Sequence, residues 1–277
     1  MRIDAHQHFW SLARSDYGWL TDEAHPRIYR DFGPPDLEIL LRENAVQRTI
    51  LVQAAPTAAE TEFLIGLARK THFVAGVVGW VDLAAKAAPA IIERLAVDEL
   101  VLGIRPMIQD IADDDWMLSP VLGPALRCAC EARLRFDALV KPRHLPVLLT
   151  FLERNPDLLV VVDHGAKPEI RTGHMAQWAR DIRELARETP AFCKLSGLAS
   201  EAGEDWTAER LKPFVDVLLE AFGPDRLMWG SDWPVLNEVG TYAAWCRATE
   251  KLLQSLSEAE RQKVFGDTAA QFYGLAA

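Results

Sequence analysis

Two histidines stand one residue apart near the start of the chain, in the segment IDAHQHFW at positions 3–10. The segment has the pattern of a β-strand, and side chains two residues apart in a strand point to the same face. We therefore expect Asp4, His6 and His8 to share one face. Imidazole nitrogens and carboxylate oxygens bind divalent cations and also transfer protons, so this face could support metal or acid–base chemistry.

Other predicted strands also end in polar or ionisable residues. A buried strand that finishes in a charged group needs partners, because an unpaired buried charge is costly. If the strands form a barrel, their ends meet at one rim, where active sites of barrel enzymes are built. The residues concerned are Gln53, Arg105, Asp163, His164, Lys194, Ser196 and Asp232.

Each of these residues has a structural alternative. The histidines could be hydrogen-bonded core residues, and Asp232 could cap a loop. Arg105 could form a structural ion pair with Asp82 or Asp137. We expect Lys194 and Ser196 to support the site rather than to touch a substrate.

The elements that would position these residues alternate along the chain. Eight short segments rich in Val, Ile, Leu and Phe are separated by helical ones. Most of them lack polar alternation, which favours strands of a parallel sheet that is buried on both faces. The predicted strands span 2–8, 48–54, 73–81, 100–105, 134–140, 158–164, 191–197 and 226–232.

This order predicts an α/β fold, a single-domain (β/α)8 barrel over residues 1–277. A doubly wound open sheet is the alternative, and it normally carries a glycine-rich phosphate-binding loop after its first strand. Here the first strand is followed by Phe9 and Trp10 instead, which favours the barrel.

Two capping boxes predict where helices begin, and one connection is unusually long. Thr57–Glu60 and Ser257–Glu260 predict the starts of two helices, the second of which opens a C-terminal helical tail over 257–277. The connection at 9–35 is too long for a simple βα loop, and loops of this length are usually functional. We expect it to cover the mouth of the barrel, where Trp19 and Trp80 would also lie.

The amino-acid composition limits the classes of partner that the protein could bind. The 277 residues are 49% hydrophobic, enough for a large core, and the net charge of −10 without a run of like charges argues against nucleic acid or an anionic membrane as partner. There is no signal-peptide pattern and no apolar stretch of membrane-spanning length. The four cysteines form no C-x-x-C pair, which is typical of reduced thiols in a cytoplasmic protein. A homo-oligomer is among the open alternatives.

Several segments taken together resemble the amidohydrolase-2 branch of the amidohydrolase superfamily. The segments IDAHQHFW, VVGWVDL, GIRP, VDHGAKP, KLSG and WGSDWPV occur in this order on successive predicted strands, and the resemblance runs from residue 2 to about residue 274. Within the branch, the chain most resembles sugar-acid lactonases such as L-fuconolactonase and L-rhamnonolactonase, and the related 2-pyrone-4,6-dicarboxylate lactonase.

The resemblance implies a set of site residues. The H-x-H motif of the superfamily falls on His6 and His8, its last-strand aspartate on Asp232, and the histidine of the D-H-x-x-K-P segment on His164. A full two-metal pattern also needs a bridging residue on strand four and a histidine on strand five, and this chain has Arg105 and no histidine there. One divalent ion, with Zn²⁺ as the first choice, could still bind the four residues, but we expect no strict metal requirement.

The resemblance also implies an activity, the hydrolysis of a sugar-acid lactone to its aldonate. Asp232 would activate the attacking water, and His6, His8 and His164 would polarise the lactone carbonyl directly or through one metal ion. Four residues around the mouth of the barrel would bind the small-molecule substrate. These residues are Arg105, Gln53, Trp19 and Trp80.

Two other functions remain open at this point. Relatives in the same branch include metal-dependent decarboxylases of unsaturated or aromatic acids, which would use the same site. A barrel that binds a sugar acid without turnover is the second alternative. A binding protein has no need of a general base, so the presence of Asp232 together with three histidines at strand ends argues against it.

Overall fold

Eight parallel strands follow one another in sequence order around a barrel in the computed structural model, which describes residues 1–275. The last strand returns to the first through hydrogen bonds from His8 N to Trp233 O (2.7 Å) and from Asp232 N to His6 O (2.8 Å). The predicted (β/α)8 barrel is therefore confirmed. Strands β1 to β8 span Ile3–Gln7, Arg48–Val52, Val74–Gly79, Val101–Ile104, Arg135–Ala138, Val160–Val162, Phe192–Leu195 and Leu227–Trp229.

Eleven α-helices among residues 1–275 surround the barrel or close one of its ends. None of them combines the length and the apolar character that a bilayer crossing requires. Residues 276–277 of the predicted tail lie outside the described residues. Helices α1 to α11 span Pro34–Glu43, Ala58–Ala68, Ala88–Ala96, Gly123–Glu131, Leu145–Arg154, Ala176–Glu188, Leu198–Ala202, Ala208–Arg226, Tyr242–Leu252, Glu258–Gln262 and Thr268–Tyr273.

The two predicted capping boxes have different outcomes. Ser257 and Glu260 form the complete box at the start of α10, with hydrogen bonds in both directions. Thr57 caps α2 by accepting a hydrogen bond from Glu60 N (3.1 Å). The Glu60 carboxylate, however, accepts hydrogen bonds from the backbone of Ala54 and Ala55, so it holds the turn after β2 instead of completing the box.

The strands are shorter than predicted at their carboxyl ends. The polar residues that were placed inside strands follow the last paired residues, because the backbone leaves the ladder to turn over the rim of the barrel. The rim is therefore built from loop residues that rigid strands hold in place. The residues shifted in this way are His8, Gln53, Arg105, Asp163, His164, Ser196 and Asp232.

The prediction that Asp4 shares one face of the strand with His6 and His8 is wrong. The pairing of β1 with β2 shifts register between Asp4 and Gln7, and such an irregularity breaks the two-residue alternation of a strand. The Asp4 carboxylate accepts hydrogen bonds from Ser231 and from Tyr242 in α9. Asp4 therefore joins the strands to an outer helix and is not part of the site.

Two apolar clusters form the core. The larger lies between the strands and the surrounding helices, and the smaller contains interior residues of several strands, such as Ile50 and Met228, packed against Phe272 of α11. Helix α11 thus closes the interior from one side. All four cysteines are free thiols.

Candidate active site

The candidate site is a cavity of about 280 Å³ beyond the carboxyl ends of the strands. Its position is the one that barrel enzymes use, because loops from separate strands converge there. His6 is fully buried beneath this cavity. Among the residues that line the cavity are His8, Trp19, Arg105, His164, Lys167 and Asp232.

Three imidazoles face one carboxylate oxygen. The Nε2 atom of His8 lies 3.2 Å from Asp232 Oδ1, and the Nε2 atoms of His6 and His164 each lie 3.8 Å from the same oxygen. The backbone of Asp232 has a φ of 59°, and this left-handed conformation is uncommon for an aspartate outside tight turns. The residues that sequence reasoning singled out from strands one, six and eight are therefore adjacent.

A hydrogen bond on the far side of the ring fixes the tautomer of His8. His8 Nδ1 donates to the Val52 carbonyl oxygen at 2.8 Å, so in the neutral ring Nε2 carries a lone pair. His6 has a donor-only neighbour at each ring nitrogen, since Arg105 Nη1 lies 3.3 Å from its Nε2 and Lys194 Nζ lies 3.1 Å from its Nδ1, so these contacts do not select one tautomer. Asp163 Oδ1 lies 3.4 Å from His6 Nδ1.

This arrangement fits a divalent cation. The lone pair of His8 Nε2 and the carboxylate of Asp232 face each other at a distance that calls for a positive group between them, either a proton or a metal ion. His6, His8 and Asp232 each offer a ligand atom, and these three atoms lie within 4.8 Å of one another. Metal-bound histidines typically donate their other N–H to a carbonyl or carboxylate, as His8 does here.

The protonation states of the histidines and of Asp232 also favour the binding of a cation. Burial lowers the pKa of His164 to about 4, and burial together with the nearby Lys194 lowers the pKa of His6 well below its usual value. Burial alone would raise the pKa of Asp232, but His164, His8 and His6 outweigh it and hold that pKa below its usual value. At neutral pH the site thus holds a carboxylate anion beside the neutral imidazoles of His6 and His164.

A buried network of charges supports His6 from inside the barrel. Lys194 Nζ lies 2.5 Å from Asp137 Oδ2, 3.1 Å from Asp163 Oδ1 and 3.1 Å from His6 Nδ1. Arg105 pairs with Asp163 at 3.4 Å. The predicted alternatives for Arg105, Asp82 and Asp137, are therefore not its partners.

The four residues predicted to bind substrate have different positions. Arg105 and Trp19 line the cavity. Gln53 is fully buried, and its side chain donates to the Arg105 carbonyl oxygen and accepts from the Arg105 guanidinium, so it holds Arg105 in place. Trp80 lines an adjoining cavity of about 550 Å³, and Trp19, Met107 and Asp110 line both cavities.

Part of the 9–35 connection reaches the cavity. Trp19 donates its indole N–H to the Ala54 carbonyl oxygen (2.8 Å), and its ring stacks edge-on against His25, which also lines the cavity. Arg27 donates to the Glu238 carbonyl oxygen, which follows β8. The connection is thereby tied to the segments after β2 and β8, the two strands that flank β1.

Sequence reasoning did not assign Lys167 to the site, and it left Asp163 without a role. Both flank His164 in the segment VDHGAKP, and a charged residue on either side of a predicted ligand was the available signal. Ser196, which was expected to support the site, lies 2.8 Å from His164 Nδ1 through its hydroxyl oxygen.

Comparison with known proteins agrees with this geometry. The sequence model of the amidohydrolase family matches residues 3–275. An L-fucono-1,5-lactonase from Burkholderia ambifaria is 49% identical over 276 residues, which cover 98% of this chain and 95% of that protein. Another L-fucono-1,5-lactonase, from Burkholderia multivorans, is 36% identical over 99% of this chain and 96% of its own length.

A solved structure extends the comparison to three dimensions. The crystal structure of an amidohydrolase from Burkholderia multivorans with bound zinc is 35% identical and superposes with a TM-score of 0.93, with 100% of both chains covered. The resemblance that the sequence motifs indicated is confirmed by these matches. Since the family match spans almost every described residue and the barrel carries its histidines and aspartate at the expected rim, the chain belongs to the amidohydrolase family.

Proposed function

We propose that this protein is a lactonase that hydrolyses a sugar-acid lactone to the aldonate, with L-fucono-1,5-lactone as the first substrate to test. The observation that carries the proposal is one carboxylate anion surrounded by three imidazoles, with Asp232 and His8 at the wall of a cavity of about 280 Å³. The cavity suits a single sugar ring. The names of the two lactonase relatives support the same substrate class.

The hydrolysis needs a general base, and Asp232 is the candidate. Its carboxylate takes a proton from a water molecule while the water oxygen bonds to the lactone carbonyl carbon. The tetrahedral intermediate then collapses, the bond between this carbon and the ring oxygen breaks, and Asp232 returns the proton to the leaving oxygen. A positioned base of this kind contributes roughly 10²–10⁴ in rate.

The imidazoles and the connection at 9–35 have separate roles in this proposal. His8 and His164 orient the lactone carbonyl, and His6 supports them from beneath. A zinc ion held by His6, His8, His164 and Asp232 would act as a Lewis acid on that carbonyl when bound. The connection covers the substrate, and the Trp19 ring lies against its apolar face.

The thiols and the net charge support a reducing compartment and a small-molecule substrate. The four free thiols support a reducing compartment such as the cytoplasm. The acidic net charge supports a small-molecule substrate over nucleic acid.

Replacement of Asp232 tests the proposal. In Asp232→Asn the base is lost and the shape is kept, so kcat/KM for L-fucono-1,5-lactone should fall by roughly 10²-fold or more. The rate of acid release at weakly buffered neutral pH measures this. The matched control is Asp216→Asn, which removes a carboxylate of an exposed ion pair and should leave the rate unchanged. Near-normal hydrolysis by Asp232→Asn would exclude the assigned role.

A further inference from the structure

The segment after β6 has an unusual backbone. His164, Gly165, Ala166 and Lys167 all have positive φ angles, between 51° and 62°, and Lys167 N donates to the His164 carbonyl oxygen at 2.9 Å. The result is one turn of left-handed helix. This conformation is unfavourable for every residue other than glycine, so the packing around the turn has to stabilise it. Such outliers cluster at functional sites.

The turn places two side chains together. Residues three apart in a tight helical turn are eclipsed, so His164 and Lys167 lie on the same side. Both line the cavity. An extended continuation of β6 would separate them. Lys167 is therefore brought to the site by the same strained turn that positions His164.

Lys167 differs from Arg105 in how fully its donors are used. The terminal nitrogens of Arg105 are committed to Gln53, Asp163 and His6, and the side chain is 4% exposed. Lys167 has one ion pair, with Glu201 at 3.7 Å, and its side chain is 24% exposed. An ammonium on a flexible stem at the cavity wall can move to a new anion, whereas the Arg105 guanidinium is held.

Lactone hydrolysis changes the charge that this cavity must hold. A neutral lactone enters, and the product carries a carboxylate that forms beside the anion of Asp232. Asp110 also lines the cavity, so product formation adds negative charge to a wall that already has two carboxylates. A positive group with free donors offsets this repulsion, and a hydrogen bond between charged groups is stronger than one between neutral groups.

We propose that Lys167 is the residue that binds the carboxylate created by ring opening, and that Arg105 is a positioning residue for His6. The assignment rests on the proposed lactonase function. It makes Lys167 a direct contact of the reacting carboxyl group, a role that the family motif does not by itself give to any lysine of this chain.

Product binding gives the sharpest test. Lys167→Met keeps the length of the side chain and removes its charge, so the Kd of L-fuconate measured by calorimetry should rise at least about tenfold. The Kd of L-fucose, a neutral sugar of the same size, should change less than about twofold. A merely structural role would move both constants together. An unchanged Kd for L-fuconate would overturn the assignment.

Kinetics complete the experiment. Lys167→Met and a second variant, Lys167→Gln, should lose between about 10-fold and 100-fold in kcat/KM, while Lys167→Arg should retain most of the activity because it keeps the charge. Lys141→Met is the control, because the charge of Lys141 also lowers the pKa of Glu201 but Lys141 does not line the cavity. Failure of the unaltered protein to open any aldonolactone would sink the proposed function, whereas normal turnover by Lys167→Met would sink only the role of Lys167.

Discussion

Hydrogen bonds on the outer side of each imidazole decide what the inner side can do. The Val52 carbonyl fixes the tautomer of His8, and Ser196 orients His164. Because Nδ1 of His8 carries the hydrogen, its Nε2 atom presents a lone pair towards Asp232. The same atoms could therefore share a proton or bind a metal ion, and experiments on the protein can separate these uses.

Removal and re-addition of metal distinguishes a shared proton from a bound metal ion at these residues. Addition of Zn²⁺ to chelator-treated protein should raise Tm, because an ion that binds only the folded state stabilises it. Thermal unfolding followed by fluorescence measures the shift. We expect measurable lactone turnover to persist in the stripped protein, since a lactone is an activated ester.

The control compares two histidines. His8→Ala removes a ligand and should abolish the zinc-dependent rise in Tm, whereas His72→Ala changes an exposed histidine and should retain it. Absence of any rise in the unaltered protein would contradict the metal site. Turnover that disappears on chelation and returns with Zn²⁺ would show that the metal is essential.

The loops after β6 and β7 pack closely against each other. Gly197, the residue directly before α7, has a φ of 67°, and a Cβ atom built there would lie 2.7 Å from the His164 ring. Only glycine combines this backbone angle with such a close approach. The position of His164 thus depends on a turn in its own loop and on a missing side chain in the next.

Gly197→Ala should therefore destabilise the protein and disturb the site together. We expect a loss of about 2 kcal/mol or more in the free energy of unfolding, from the left-handed conformation and from the contact with the ring. Denaturant unfolding measures this loss, and the lactone assay should show a parallel fall in kcat. The matched change Gly66→Ala lies in α2, where a Cβ atom meets nothing within 4 Å, and it should stabilise by about 0.5–1 kcal/mol. Equal effects of the two changes would contradict this account.

Across the whole molecule, a chain of charged and polar groups connects the closing helix to the site. The Tyr273 hydroxyl of α11 donates to Asp137 at 2.9 Å, and Asp137 pairs with Lys194, which reaches Asp163 and His6. All of these groups are buried. The barrel interior therefore contains an ion network in place of some aliphatic packing, and a break in this network leaves unpaired charges.

Lys194→Met should break the network. Removal of one partner of a buried ion pair is strongly destabilising, by about 3–5 kcal/mol, because the remaining carboxylates stay buried without compensation. Denaturant unfolding measures the change. Lys212→Met removes an exposed lysine paired with Asp216 four residues away, and it should cost less than about 0.5 kcal/mol. A loss of under 1 kcal/mol for Lys194→Met would show that the interior network is not needed for stability.

The amino-acid sequence by itself determined the order of elements and the identity of the groups that meet. Runs of β-branched residues, helix caps and polar strand ends are local signals, and a parallel barrel brings all carboxyl ends to one rim. Hence the eight strands could be predicted, and so could the convergence of His6, His8, His164 and Asp232. These conclusions need no knowledge of distances between remote side chains.

The tertiary structure alone decided which groups pair and which way they face. Arg105 pairs with Asp163 rather than with Asp82 or Asp137, and Asp4 turns outward because β1 is irregular. Lys167 reaches the cavity only through a left-handed turn. Register shifts and backbone strain are set by packing between segments far apart in the chain, and local patterns carry little information about such packing.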